Sequence, residues 1–216
     1  MTMPFKAARG FFAALTITAL LSAGAAQAET VQIVGFGDSL MAGYQLPAED
    51  AFPVQLEKAL KAKGHDVAIA NAGVSGDTSS GGLARIDWSV PDGTKGVILE
   101  LGANDALRGI PPEETEKNLD AMLEKLGGRG IRVLLAGMIA PPNMGADYGE
   151  RFNGIFARLA EKHGASLYPF FLEGVVTMPD RQLEDGMHPN AKGVAAMVEA
   201  ILPTAESFLA GIEPGQ

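Results

Sequence analysis

Apolar residues fall along the chain in short, nearly unalternated runs, separated by stretches in which they recur every three or four positions. The runs predict strands at Val31 to Phe36, Val67 to Asn71, Gly96 to Leu101, Ile131 to Gly137 and Ala165 to Tyr168, the third broken only by Glu100. Between the first two, a helix is expected from Asp50 as N-cap through Phe52, Leu56, Ala59 and Leu60 to Gly64, a residue suited to the position just past a helix. A weaker helical stretch covers Ser79 to Trp88. The next helix starts at Pro112 with Glu113 and Glu114 in its first turn, carries Leu119, Met122, Leu123 and Leu126 on one face, and stops at Gly127. Phe152, Ile155, Phe156 and Leu159 mark another, and Val194, Met197, Val198 and Ile201 a last one, expected to bend or restart near Pro203. Strands that do not alternate are buried on both faces, so this order argues for an α/β fold: a parallel sheet covered by helices on both sides. Ligands then bind outside the carboxyl ends of the strands.

The first 28 residues read differently. Lys6 and Arg9 precede an uncharged stretch whose densest apolar part runs from Phe11 to Leu21, and Ala26-Gln27-Ala28 closes it. This is the pattern of a secretory signal, with cleavage expected after Ala28. Ser22, Gly24 and Gln27 interrupt the run before the roughly 20 residues needed to span a bilayer, and no later segment is expected to cross one. Taking 28 residues from 216 leaves 188, a length suited to a single domain over positions 29–216. Losing Lys6 and Arg9 moves the net charge from −9 to −11, which argues against nucleic acid or anionic lipid as partner. A small or neutral molecule fits better. With no cysteine in the chain, disulfides, thiolate metal clusters and a cysteine nucleophile are all excluded.

Polar, glycine-rich sequences follow the first three strands: Gly37-Asp38-Ser39-Leu40, then Asn71-Ala72-Gly73-Val74-Ser75-Gly76-Asp77-Thr78, then Gly102-Ala103-Asn104-Asp105. A fourth, Asp185-Gly186-Met187-His188-Pro189-Asn190, precedes the last helix. A serine hydroxyl is a poor nucleophile until a base takes its proton, and histidine, with an ordinary pKa near 6.5, can take and return one at neutral pH. Ser39 lies directly after a strand, His188 is one of three histidines, and Asp185 is close enough in sequence to bond Nδ1–H and fix the tautomer. Taken singly, each has a plainer reading. Ser39 suits a helix cap or a phosphate-binding turn, Asp185 a turn cap and His188 a loop. His65 and His163 suit the C-termini of helices.

The four motifs together, in this order and over essentially all of residues 29–216, resemble the SGNH/GDSL hydrolase family, most closely its bacterial periplasmic thioesterase I, lysophospholipase and arylesterase group. The resemblance implies a three-layer α/β/α, flavodoxin-like fold with a five-stranded parallel sheet, and a periplasmic or secreted, cofactor-free and metal-free serine esterase. Its substrate would be a small-molecule ester or thioester. The family pattern assigns Ser39, Asp185 and His188 as the catalytic triad, and the backbone N–H groups of Ser39 and Gly76 with the side-chain amide of Asn104 as the oxyanion hole. Alone, Gly76 suits a tight turn and Asn104 a helix cap. Gly73 is expected to have a conformational role, Asp38 and Asp105 to hold their turns through backbone N–H groups, and Glu100 to have a structural partner.

Leu107, Ile110, Met138, Ile139, Met144 and Tyr148 offer apolar surface for an acyl chain or aromatic leaving group, or else close the core. The Leu107-Arg108-Gly109 segment resembles the mobile loop that shapes the acyl groove in thioesterase I relatives. Three rival readings stand beside this one: a carbohydrate acetylesterase on the same fold, a metal-dependent phosphoesterase using Asp38, Asn104, Asp185 and His188, and a non-catalytic binding domain. The metal reading lacks His-x-His or His-Glu-x-x-His spacing.

Overall fold

The computed structural model describes residues 29–212 together with Met1 and Thr2, so the expected signal segment lies outside the described residues except for those two. The five expected strands are present: β1 (Val31–Gly37), β2 (Val67–Gly73), β3 (Gly96–Glu100), β4 (Arg132–Ala136) and β5 (Ser166–Tyr168). They form one parallel sheet in the order β2-β1-β3-β4-β5. Every residue of β3 is buried, as a central strand covered on both faces requires. Full burial of each such side chain contributes about 1.5–3 kcal/mol, which is why these short runs suffice to fix the sheet.

Among the described residues, eight α-helices accompany the strands: α1 (Ser39–Ala42), α2 (Phe52–Ala62), α3 (Ser79–Ser89), α4 (Ala103–Leu107), α5 (Pro112–Gly128), α6 (Ala146–Asn153), α7 (Ile155–His163) and α8 (Ala191–Ala210). On one side α2 packs on α8; on the other α5 lies between α3 and α7. Three expected helix details are corrected. Asp50 ends a short 3₁₀ turn, and α2 begins after Ala51 with Pro53 in its first turn. The single helix expected across Phe152 and Leu159 is two, divided at Gly154, whose lack of a side chain weakens helix locally by up to about 1 kcal/mol. α8 runs through Pro203 without a restart, because that proline faces solvent, where water can take the carbonyl bond it leaves open.

α8 also has the length and hydropathy of a membrane span, which the chain pattern alone did not suggest. Its apolar stripe is spent on the core instead: Val194, Met197, Val198, Ile201, Phe208 and Leu209 are all buried.

The topology decides where a site can form. β1 sits between β2 and β3, so the chain leaves β1 toward one edge of the sheet and leaves β3 toward the other. A crevice opens between these diverging connections at the carboxyl ends of β1 and β3. Ser39 and Asn104 stand there, each at the start of a short helix.

Candidate active site

Ser39 is the first residue of α1, two residues beyond the end of β1. Its N–H is among the first of a helix and has no preceding turn to bond within it. Asp38 caps that helix, its Oδ1 accepting from the N–H of Leu40 at 3.0 Å, as expected. The other oxygen of Asp38 accepts from Asn104 Nδ2 at 2.8 Å, a contact across 66 positions of sequence. Asp38 therefore joins the Ser39 turn to the start of α4.

Asp185 and His188 reach Ser39 from a narrow hairpin. The N–H of Gly186 donates to the Leu183 carbonyl at 3.0 Å, the N–H of Leu183 to the His188 carbonyl at 2.8 Å, and Gln182 pairs with Pro189. Asn190 fixes the base of this hairpin: its amide donates to the carbonyls of Asp180 and Gln182, and its oxygen accepts from Gly193 to cap α8.

The hairpin places His188 Nε2 at 2.8 Å from Ser39 Oγ, and His188 Nδ1 at 2.6 Å from Asp185 Oδ2. Partial burial works to raise the Asp185 pKa, but hydrogen bonds from the His188 and Met187 N–H groups and the His188 ring outweigh it, bringing the value to about 2. An ionised carboxylate only accepts, so Nδ1 carries the proton and Nε2 is left to accept from the serine. The ring of Tyr44 lies against His188, centroids 4.5 Å apart.

The second loop turns at Gly76 with φ +86°, the left-handed geometry that glycine adopts without strain. Gly73 is required for a different reason. It is extended within β2, and a side chain there would collide with the backbone of α1 at Ala42. The Gly76 carbonyl accepts from Arg108 Nη2 at 2.7 Å, tying this loop to the end of α4.

Asp105 does not hold its own turn as expected. It reaches α3 and α5, accepting from the N–H and hydroxyl of Ser79 and from the hydroxyl of Thr115.

Glu100 is fully buried beneath these turns. One oxygen accepts from the Asp38 N–H at 3.2 Å, while Oε1 has no hydrogen-bond partner among the described residues. Burial, and after it the negative charge of Asp38, pushes the Glu100 carboxyl well above the usual range. Burial also raises Asp38, but there the Leu40 N–H and the Asn104 amide oppose it. Of the pair, Glu100 is the one pushed further toward its neutral form.

The apolar residues divide. Met138 is only 3% exposed and belongs to the core, whereas Leu107 and Ile139 are 54% and 50% exposed, and Ile110 and Met144 are intermediate. The Tyr148 hydroxyl donates to the Ile110 carbonyl at 2.8 Å and so braces the segment after α4. His163 pairs with Asp120 and His65 faces Glu206, both away from the triad.

A family model for GDSL-like lipases and acylhydrolases matches residues 36–196. The chain belongs to this family. An arylesterase of Vibrio mimicus is 38% identical over 188 residues, covering 87% of this chain and 94% of that protein. Thioesterase 1/protease 1/lysophospholipase L1 of Escherichia coli K12 is 39% identical over 172 residues, covering 79% and 80%. Among solved structures, AlinE4, an SGNH-hydrolase family esterase, superposes with a TM-score of 0.72 at 47% identity, covering 85% of this chain and 98% of its own. The GDSL-like family accounts for the three-layer fold and makes the protein a carboxylic ester hydrolase.

Four site features had gone unread. Tyr44, Arg85 and Arg108 act across the fold on partners that only the folded chain brings near, whereas Asn190, directly before the last helix, carries the ordinary signal of a helix cap.

Proposed function

We propose that this protein hydrolyses carboxylic esters and thioesters through Ser39, His188 and Asp185, with a covalent acyl-enzyme. Ser39 Oγ attacks the carbonyl carbon while His188 Nε2 takes its proton, and ionised Asp185 holds the resulting imidazolium. The negative charge that develops on the carbonyl oxygen is met by the N–H groups of Ser39 and Gly76 and by the amide of Asn104. Collapse expels the alcohol or thiol, which takes the proton from His188. Water then repeats the sequence on the acyl-enzyme, with His188 again as base, and releases the acid.

The observation that carries this reading is the continuous relay from Asp185 Oδ2 through the His188 ring to Ser39 Oγ, at 2.6 and 2.8 Å. The substrate class is an acyl thioester, aryl ester or lysophospholipid, supported by the names of the relatives and by exposed Leu107, which ends α4, and exposed Ile139, which follows β4. Ile110 and Met144 complete that surface in this reading. The basic, apolar and small-residue pattern of the first 28 residues supports export with cleavage after Ala28, and a periplasmic or secreted enzyme.

The rival metal reading meets a difficulty of donor geometry. Both ring nitrogens of His188 and both oxygens of Asp38 are already engaged by protein groups, and among the described residues no three acidic or histidine side chains converge. Purified protein assayed on p-nitrophenyl esters decides the matter. Ser39→Ala should abolish turnover with the fold intact, and an organophosphonate should label the wild type at Ser39. Activity that survives Ser39→Ala and is lost to a chelator would refute the proposal.

A further inference from the structure

Arg85 lies on α3, outside all four motifs, and is only 6% exposed. Burying a guanidinium is costly unless its donors are satisfied, and here they reach three separate segments. Nε donates to Asp77 Oδ2 at 2.6 Å, Nη2 to the Gly37 carbonyl at 2.8 Å, and Nη1 to the Ala72 carbonyl at 2.9 Å and the Ser89 hydroxyl at 3.3 Å. The guanidinium carbon sits 3.9 Å above the Phe36 ring, a favourable place for a cation.

Each anchor has a position that matters. Gly37 ends β1 and is followed by Asp38 and Ser39. Ala72 is in the last turn of chain before the second loop, and Asp77 follows Gly76 directly. The Gly37 carbonyl also accepts from the Val74 N–H at 3.0 Å, so the two loops already touch where the arginine clamps them.

We infer that Arg85 is a positioning residue that sets the N–H of Gly76 relative to the N–H of Ser39, holding the two backbone donors of the oxyanion hole in register. This rests on the proposed roles of Ser39 and Gly76. The other sides of the hole are tied by Asp38 to Asn104 and by Arg108 to Gly76. Arg85 closes the triangle from the buried side, where a fork of fixed shape can hold several acceptors at once. A lysine has one ammonium in place of the fork and cannot span Gly37 and Asp77 in the same way.

Displacing a donor by about 1 Å costs on the order of 10² in rate. Arg85→Met, which keeps an unbranched apolar stem and loses every donor, should therefore lower kcat on the order of 10²-fold, with KM little changed. Arg85→Lys should recover only part of this. Asp77→Asn, which keeps an acceptor oxygen for Nε, should lose least and remain folded. Folding is followed by circular dichroism, and all assays run well below the unfolding midpoint. The rate of phosphonylation of Ser39 should fall in parallel with kcat, because that reaction also develops charge in the hole, whereas a merely structural role would leave folded protein phosphonylated at the normal rate.

Wild-type kcat and phosphonylation in folded Arg85→Met or Arg85→Lys, or losses confined to KM, would overturn the inference. Asn104→Ala in the same assay separates the two levels. If it loses kcat while the Arg85 variants keep theirs, only the role of Arg85 fails. If Ser39→Ala and Asn104→Ala both stay active, the reading of the site fails and the inference with it.

Discussion

Asn104→Ala removes a side chain that the structure employs twice. One N–H of its amide is spent on buried Asp38, and the other is the donor assigned to the oxyanion. The two losses appear in different measurements. Removing an oxyanion donor costs about 10²–10³ in kcat, or roughly 2.7–4 kcal/mol of transition-state stabilisation. Removing the bond to this buried carboxyl costs about 1–3 kcal/mol of folding stability, and the upper part of that range, about 1.5–3 kcal/mol, applies to the charged form. In a domain of this size each kcal/mol moves the melting temperature by about 2–4 °C, so the variant should melt about 2–12 °C below wild type. The Asp38 carboxyl, raised already by its burial, should rise further once the amide that opposes this is gone.

Steady-state kinetics on a p-nitrophenyl ester and thermal unfolding of the same preparation read both numbers. KM should change little, since the donor acts on charge that exists only in the transition state. A variant that melts early but turns over at the wild-type rate would show that Asn104 only holds Asp38, and would remove it from the oxyanion hole. A rise in KM with unchanged kcat would assign it to binding.

Glu100→Gln is the isostere of the neutral acid. The wild-type carboxyl is held above its usual range by burial and then by Asp38, so it costs stability progressively as pH rises above about 4.5; the variant should gain stability over wild type in neutral and alkaline urea titrations, and a loss there would mean Glu100 is ionised in the fold. Asp185 has the opposite sign: its folded value of about 2 lies below the ordinary carboxylate range, so its contribution is present above about pH 4 and is lost as pH falls toward 2. Asp185→Asn should lose that acid dependence along with most of kcat, and an unchanged rate would point to another orienting group. Alanine at both Leu107 and Ile110 should reduce kcat/KM for octanoyl esters selectively, since each buried methylene contributes up to about 0.8 kcal/mol, close to fourfold per carbon; equal losses on acetate would assign the pair to packing.

The sheet was legible because its central strands are buried on both faces, which leaves unbroken runs such as Gly96 to Leu99 that no surface element would carry. Ser39, His188 and Asp185 were legible for a different reason: each lies in a short local motif whose neighbours shape its turn, with Asp38 capping α1 and Gly186 closing the hairpin turn. Asp50 and the joined α6 and α7 were misread because end signals are weak, and packing decided between competing caps and breaks.

What stayed hidden is what depends on the topology. Asp38 and Asn104 meet across 66 positions because β1 and β3 are neighbours in space though not in sequence. Arg85 fastens a different pair, the end of β1 and the loop after β2. The connections from β1 and β3 diverge, which opens the crevice for a substrate but removes the mutual support that adjacent turns would give. Donors placed on separate turns must be fastened from outside them. Asp38, Arg108 and Arg85 supply those fastenings with charge-assisted bonds, which are shorter and stronger than neutral ones and so hold geometry where the backbone ladder has ended.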